Sequence, residues 1–353
     1  MKIIAKSCFF TSVLLSLSFT ACTQKSAQSN AKQSTNTAQT VSSSDAFSSE
    51  EPLAFTLEAD FETPFRAASA GNPDGIFPPL RVKDPFSGVL NGTQVEMKLR
   101  GNSSLQECSF PKLTIKSKIP MLAQETQLPK KFKLGTHCGE HDANQRGTIG
   151  RLRNETAAWR EALAYDLARS FGIETLRTRK VNVTYKILGT EPQTLTRQGF
   201  ILEHLDEFSK RMAGTSVDAE TTTQFEVGKF DFVAAQRIKY FHALLGNWDW
   251  AIETQSEKKS GTIHLWNTEV YARASGELVP VPADFDLSSF VTGNLARSKK
   301  IDLQVTAEDK ALVEDLLTRK DALLKLIETA HIDEIGRTNA LAHVEAFYAK
   351  LKK

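Results

Sequence analysis

The sequence predicts an α+β body of two lobes, a sheet-rich one first and a mainly helical one second, behind a leader and a polar tether. Three observations carry this. Period-two alternation with a hairpin signal runs through residues 53–116, and apolar stripes at helical spacing occupy 154–171, 232–245 and the stretch from 306 onward. Between the stripes, short apolar runs end in acidic turns. These place a small lobe at about 53–205, a large lobe at about 206–353 and a cleft between them.

Residues 1–22 read as a lipoprotein signal peptide. Lys2 and Lys6 form a positive start, and Cys8 to Phe19 is a mostly apolar stretch too short to span a bilayer. Phe19-Thr20-Ala21-Cys22 then resembles a bacterial lipobox, which predicts cleavage before Cys22 and lipidation of its thiol. Thr23 is not the Asp associated with inner-membrane retention, so an outer-membrane anchor is expected, with the body in the periplasm or at the cell surface of a Gram-negative bacterium. Residues 23–52 are mostly Ser, Thr, Gln, Asn and Ala, too polar to repay ordering, and read as a disordered tether.

Leu53 to Asp60 alternates as an opening strand. Asn91-Gly92 supplies the positive φ angles of a type I′ hairpin turn, after which Val95, Met97 and Leu99 alternate with Glu96, Lys98 and Arg100. Leu113 and Ile115 mark another strand. Trp159, Leu163, Leu167 and Phe171 form one helical stripe that Gly172 ends. Val181 to Leu188 and Gly199 to Leu202 read as strands, and Phe232 to Leu245 as a helix stopped by Gly246. Thr306-x-x-Asp309 resembles a helix N-terminus, with leucines at helical spacing to Leu326, and Asn339 to Leu351 completes the helices.

Of the 44 basic and 42 acidic residues, Lys2 and Lys6 fall in the leader, so the mature chain is formally neutral. That argues against nucleic acid as its main partner. Cys108 and Cys138 remain after the leader. An even pair in an exported body reads as a disulfide, with free thiols or a metal site with His137 and His141 as the alternatives.

Chemistry concentrates in two acidic turns. Gly246-Asn247-Trp248-Asp249 follows a helix, and Asp284-Phe285-Asp286 follows the apolar run Leu278 to Val281. Phosphoryl-transfer sites are often built this way, one carboxylate orienting a hydroxyl and another holding a divalent metal on phosphates. Paired carboxylates also serve glycoside hydrolysis, though nothing else in the chain points there. Each residue also has a plain structural use: Asp249 can cap a turn, Asp284 and Asp286 can be solvated, Lys112 can be an exposed strand residue and Glu161 a helix-surface one.

Several segments line up in order with one family. Arg100-Gly101-Asn102-Ser103-Ser104 with Phe110-Pro111-Lys112 resembles the RGNSS…FPKK signature of the CotH-like kinases, named for spore coat protein H. Arg160 to Leu167 with Arg177-Thr178-Arg179, then Gly199 to Glu203, look like the family's helix and following strands. Asn247-Trp248-Asp249 and Asp284-Phe285-Asp286 match its catalytic and metal-binding turns. The resemblance covers roughly residues 53–295, and the region Cys108 to Cys138 is similar to a divergent bacterial branch of the family.

The resemblance implies a protein-kinase-like fold that transfers the γ-phosphoryl group of ATP to Ser or Thr with Mg²⁺ or Mn²⁺. Asp249 would be the catalytic Asp, Asp284 a metal ligand with Asp286 beside it, Lys112 a phosphate contact and Glu161 its partner on the long helix. The chain departs from the pattern at two places. Thr254 stands where the family has a second metal-binding Asn, which Asn267 would replace if Ser256 to His264 is an insertion. Leu113 stands where it has a second Lys, so Lys116 or Lys133 is an alternative phosphate contact. A second expectation follows from these departures and from the scarcity of ATP in the periplasm: a degenerate kinase-like module that binds another envelope component.

Overall fold

Alternating strands in the first half of the chain close a sheet on itself. The computed structural model describes residues 44–65, 84–140, 145–217, 225, 227–254, 263–294, 303 and 305–352. The leader, Cys22, most of the tether and His141 lie outside the described residues. After the two-residue strand β1 (Ser44–Asp45) come β2 (Leu53–Asp60), β3 (Phe86–Leu90) and β4 (Thr93–Leu99), the short helix α1 (Ser104–Glu107), and β5 (Leu113–Lys116). Next are β6 (Met121–Ala123), β7 (Thr126–Leu128), β8 (Lys131–Gly135), the long helix α2 (Thr156–Ser170), β9 (Thr178–Leu188) and β10 (Gln193–Glu203).

Seven of these strands form a closed barrel in the order β10-β8-β5-β4-β3-β2-β9, with β9 and β10 paired to complete it. The pairings are antiparallel except β2 with β9, which run parallel from Leu53↔Val181 to Asp60↔Leu188. The β3–β4 hairpin turns on Asn91 and Gly92, at φ +45° and +84°. The alternation sends Met97, Leu113, Ile115, Phe132, Leu134, Val183 and Ile201 into the barrel core. The opposite side of the same strands carries Lys98, Thr114 and Lys133, which share one cross-strand row.

The rest of the chain is mainly helical, with small sheets. It contains α3 (Leu205–Arg211), β11 (Thr215–Val217), α4 (Phe232–Leu245), β12 (Ala251–Thr254), β13 (Ile263–Trp266), β14 (Thr268–Ala272) and β15 (Leu278–Pro282). Then follow α5 (Ser289–Thr292), α6 (Lys310–Thr318), α7 (Lys320–Thr329) and α8 (Glu334–Leu351). Gly246, left-handed at φ +56°, caps α4, and the Thr306–Asp309 capping box opens the run into α6. The buried side chains of α2 join those of α4, α5, α7 and α8 in a second large core. Helix α2 is therefore the crossover between barrel and helices. It is buried on nearly every side, including Arg160, Glu161 and Asp166, where the stripe reading expected one apolar face.

The expected sheet-rich and helical parts are both present, and the sheet is a closed barrel. One expectation is corrected: the end of the expected tether belongs to the body. Strand β1 pairs with β7, Ala46 is buried, and Asp45 accepts from Arg177 at 2.7 Å. Arg177 and Arg179 tie this segment down: Arg177 also holds Glu203, and Arg179 donates to the carbonyls of Ala46 and Glu51.

Candidate active site

Lys112 sits just before β5, and its side chain is buried. Its Nζ lies 2.7 Å from Asp284 Oδ1, 2.9 Å from Asp286 Oδ2 and 3.0 Å from Glu161 Oε1. A lysine is seldom buried unless paired, and here three carboxylates pair it. Burial alone would lower its affinity for a proton, but the charges of Asp284, Asp286 and Glu161 outweigh that and hold it firmly as an ammonium.

Each carboxylate is positioned by a different element. Glu161 and Tyr165 stand one turn apart on α2 and share a face. Glu161 holds Lys112, while the Tyr165 hydroxyl accepts from the Asp284 backbone N–H at 3.0 Å. Asp284 follows β15 in the left-handed region, at φ +59°. Phe285, fully buried, packs edge-on against Tyr165 with ring centroids 4.7 Å apart and anchors the turn. Burial pushes the Glu161 carboxyl up, Lys112 opposes, and the charges of Asp286 and Asp284 add to the rise, leaving it at about 7.

Asp286 is expected beside a metal, but its oxygens are taken. Arg151 donates Nε to Oδ2 at 2.6 Å and Nη2 to Oδ1 at 3.2 Å, and Lys112 shares Oδ2. Arg151, buried as well, reaches with Nη1 to Glu107 Oε2 at 2.8 Å and with Nη2 to Ser103 Oγ at 3.1 Å. Burial opposes ionisation of Asp286, but Arg151 and Lys112 prevail and hold it well below the usual carboxylate range. Asp284 is the carboxylate of this trio that keeps contact with solvent, its side chain 28% exposed against 5% for Glu161 and 6% for Asp286.

Asp249 stands on the loop after α4. Asn247, fully buried, accepts from the Asp249 N–H at 3.1 Å and meets His242 Nδ1 at 3.0 Å, which fixes the loop to the helix. Trp250 stacks on His242 beneath it, ring centroids 4.3 Å apart. Asp249 Oδ1 accepts from Trp266 Nε1 at 2.8 Å and Oδ2 from Asn267 Nδ2 at 3.0 Å. Burial raises the affinity of Asp249 for a proton, the Trp266 donor lowers it, and the charges of Asp284 and Asp286 raise it again. The two acidic turns therefore feel each other.

Asn267 turns its amide nitrogen to Asp249, and its own carbonyl accepts from the Ala283 N–H at 3.0 Å, linking both turns. Lys133 lies apart from the Lys112 cluster, paired with Glu269. Lys116 is exposed. Cys108 and Cys138 form a disulfide across a Cα–Cα distance of 4.5 Å. It follows directly on Glu107, so it secures the end of α1 that Arg151 grips. His137 is buried and meets Glu140 at 3.0 Å.

Sequence reasoning missed Arg151 and Glu107. Both are isolated polar residues outside any repeating pattern, and only the long-range contact with Asp286 reveals them. Among the described residues no three His, Cys, Asp or Glu side chains gather as a ready metal site. A divalent cation nevertheless fits the charge balance. Glu107, Glu161, Asp249, Asp284 and Asp286 set five carboxylates against Lys112, Arg151 and the neighbouring Arg100, and Asp284 Oδ2 is engaged by no described residue.

No family model matches the chain, and no curated protein does. Among solved structures, the Helicobacter pylori proinflammatory kinase CtkA is weakly similar, at a TM-score of 0.37 and 12% identity over 69% of this chain and 92% of that one. So slight a likeness carries no argument.

Proposed function

We propose that the chain is an envelope lipoprotein with an atypical kinase-like domain that transfers a phosphoryl group from ATP, with Mg²⁺ or Mn²⁺, to a protein Ser or Thr or another hydroxyl. The observation that supports this most is the buried junction at Lys112, where one ammonium joins a barrel strand, the helix carrying Glu161 and the turn carrying Asp284. A Lys–Glu ion pair and a metal-binding Asp are required together in kinase-type phosphoryl transfer. In this reading the barrel side and the helical side act as the two lobes of a kinase-like fold.

Asp284 would hold the metal, with Asn267 offering its amide oxygen from the neighbouring turn. A bound divalent ion would neutralise phosphate charge and offset the excess of carboxylates. Lys112 fixes Asp284 and Glu161 in place. Asp249, oriented by Trp266 and Asn267, receives or directs the proton of the acceptor hydroxyl, and its raised proton affinity suits that task. Residues 1–22 would deliver the chain to the outer membrane, and Cys22 would anchor it through lipid.

A second reading has an observation of its own. Lys133 and Asp286 are fully engaged with protein partners, and the Asn267 amide is spent on Asp249. This favours a degenerate kinase-like module that binds an envelope component. Incubation of the purified protein with radiolabelled ATP, Mn²⁺ and envelope extract separates the two. Label transfer that disappears in Asp249→Asn supports the enzyme, and transfer unchanged in that variant refutes the assignment of Asp249. Cys22→Ala is expected to lose acyl labelling and leave the membrane fraction.

A further inference from the structure

The cations around the site are unequally occupied. Lys112 is shared by three carboxylates, Arg151 is forked between Asp286 and Glu107, and Lys133 is held by Glu269. Arg100 differs: no described residue gives its guanidinium an acceptor. It is half-buried, yet its backbone is fixed. Its N–H donates to the Lys112 carbonyl at 2.9 Å, one step beyond the Leu99↔Leu113 pair. Facing residues of an antiparallel pair project from the same side of a sheet, so Arg100 and Lys112 emerge side by side. Its charge is felt both by Lys112, whose proton affinity it lowers, and by Glu269.

The chain turns sharply just after it. Gly101 adopts φ +97°, and a Cβ there would fall 1.9 Å from Ser104 Oγ. Only glycine permits this close return of the loop, which leads directly into α1 and the residues that grip Arg151. A fixed, half-desolvated guanidinium that no described carboxylate touches directly has the chemistry of an anion contact.

We propose that Arg100 is the residue that binds the phosphate chain of a nucleoside triphosphate at this site, a role that Lys112 and Lys133 are too fully paired to fill. This rests on the phosphotransferase reading above and sharpens it. Arg100 presents a planar fork that matches two phosphate oxygens, whereas Lys112 acts as a positioning residue for Asp284 and Glu161.

The test is calorimetric titration of the full chain, wild type, Arg100→Gln and Arg100→Lys, with ATP and Mn²⁺, tripolyphosphate and Mn²⁺, and adenosine alone. Arg100→Gln should weaken ATP and tripolyphosphate roughly tenfold to a hundredfold and leave adenosine unchanged. Arg100→Lys should recover only part of the loss, since it keeps the charge without the fork. Because the Arg100 guanidinium is hydrogen-bonded to no described residue, neither variant should lower the melting midpoint greatly; if Arg100→Gln melts early, Arg100→Lys carries the comparison. ATP binding by Arg100→Gln at wild-type strength overturns the proposal while leaving the wider reading intact. Tripolyphosphate bound as tightly as ATP by the wild type makes a free polyphosphate the ligand and overturns the nucleotide assignment. A wild type that binds no nucleotide removes the phosphotransferase reading of the site and the proposal with it.

Discussion

Replacing Lys112 with Met should cost folding stability far beyond an ordinary surface lysine. Met matches the lysine stem closely in length and volume, so the loss is mainly electrostatic. Three carboxylates lose their shared cation, but not equally. Asp286 retains Arg151, and Asp284, 28% exposed, can rehydrate. Glu161 is 5% exposed and its carboxylate has no other hydrogen-bond donor among the described residues, so it bears most of the penalty. Removing one partner of a buried pair costs about 3–5 kcal/mol. Glu161 already holds its proton up to about pH 7 with Lys112 present. Without Lys112 the carboxyl is raised further, so between its unfolded and folded pKa the native state binds the extra proton and stability falls as pH rises. The Lys112→Met penalty should therefore be largest at mildly alkaline pH and shrink on acidification. Urea unfolding at several pH values measures it, and adding Glu161→Gln should restore at least about 1 kcal/mol through a favourable coupling. A cost under about 1 kcal/mol, or strict additivity of the two substitutions, would refute the claim that this pair organises the site.

Two other expectations concern stability. His137 and His204 are pushed down to about 4 and His242 to about 3, all foremost by burial, and His343 is lowered the same way. Their unfolded values lie near 6.5, so the unfolded chain gains protons first as pH falls; stability should drop between about pH 6.5 and 4 by up to about 1.4 kcal/mol per pH unit for each of His137, His204 and His242, and His343 acts in the same direction. Glu161 works in the opposite direction, as do Asp249 and Asp166, whose carboxyls burial also raises; flat stability across the window, followed by chemical denaturation, would contradict this. Reduction of Cys108–Cys138 opens a 30-residue loop and should cost roughly 3–4 kcal/mol, read as a lower melting midpoint of the Cys108→Ala, Cys138→Ala variant; an unchanged midpoint would count against it.

Features set by neighbouring residues were legible in the sequence. The Asn91-Gly92 hairpin and the Gly246 stop of α4 depend on local backbone freedom, and both stand where the pattern puts them. Strand β2 has the bounds that its alternation indicates. Closure of the barrel was not legible, because the parallel pairing of β2 with β9 joins segments that far apart in sequence and leaves no local mark. Helix α2 misled in another way: charged residues at Arg160, Glu161 and Asp166 signal a wet face, whereas each is buried against a distant partner. Motif order brought Lys112, Glu161, Asp249 and Asp284 to attention, and the fold gathers Lys112, Glu161 and Asp284 at one ammonium, within electrostatic reach of Asp249. It could not show that Asp286 would be absorbed by Arg151 or Lys133 by Glu269, since those contacts depend on tertiary structure alone.

The most direct test of the proposed chemistry is calorimetric titration of ATP into wild type, Asp284→Asn and Asp249→Asn, with and without Mn²⁺. Binding should require the metal in the wild type, vanish in Asp284→Asn, and persist in Asp249→Asn, which should nonetheless transfer no phosphate. A wild type that binds no nucleotide under any divalent metal, or an Asp284→Asn variant that binds as the wild type does, would contradict a metal-dependent phosphotransferase and leave the binding-module reading in its place.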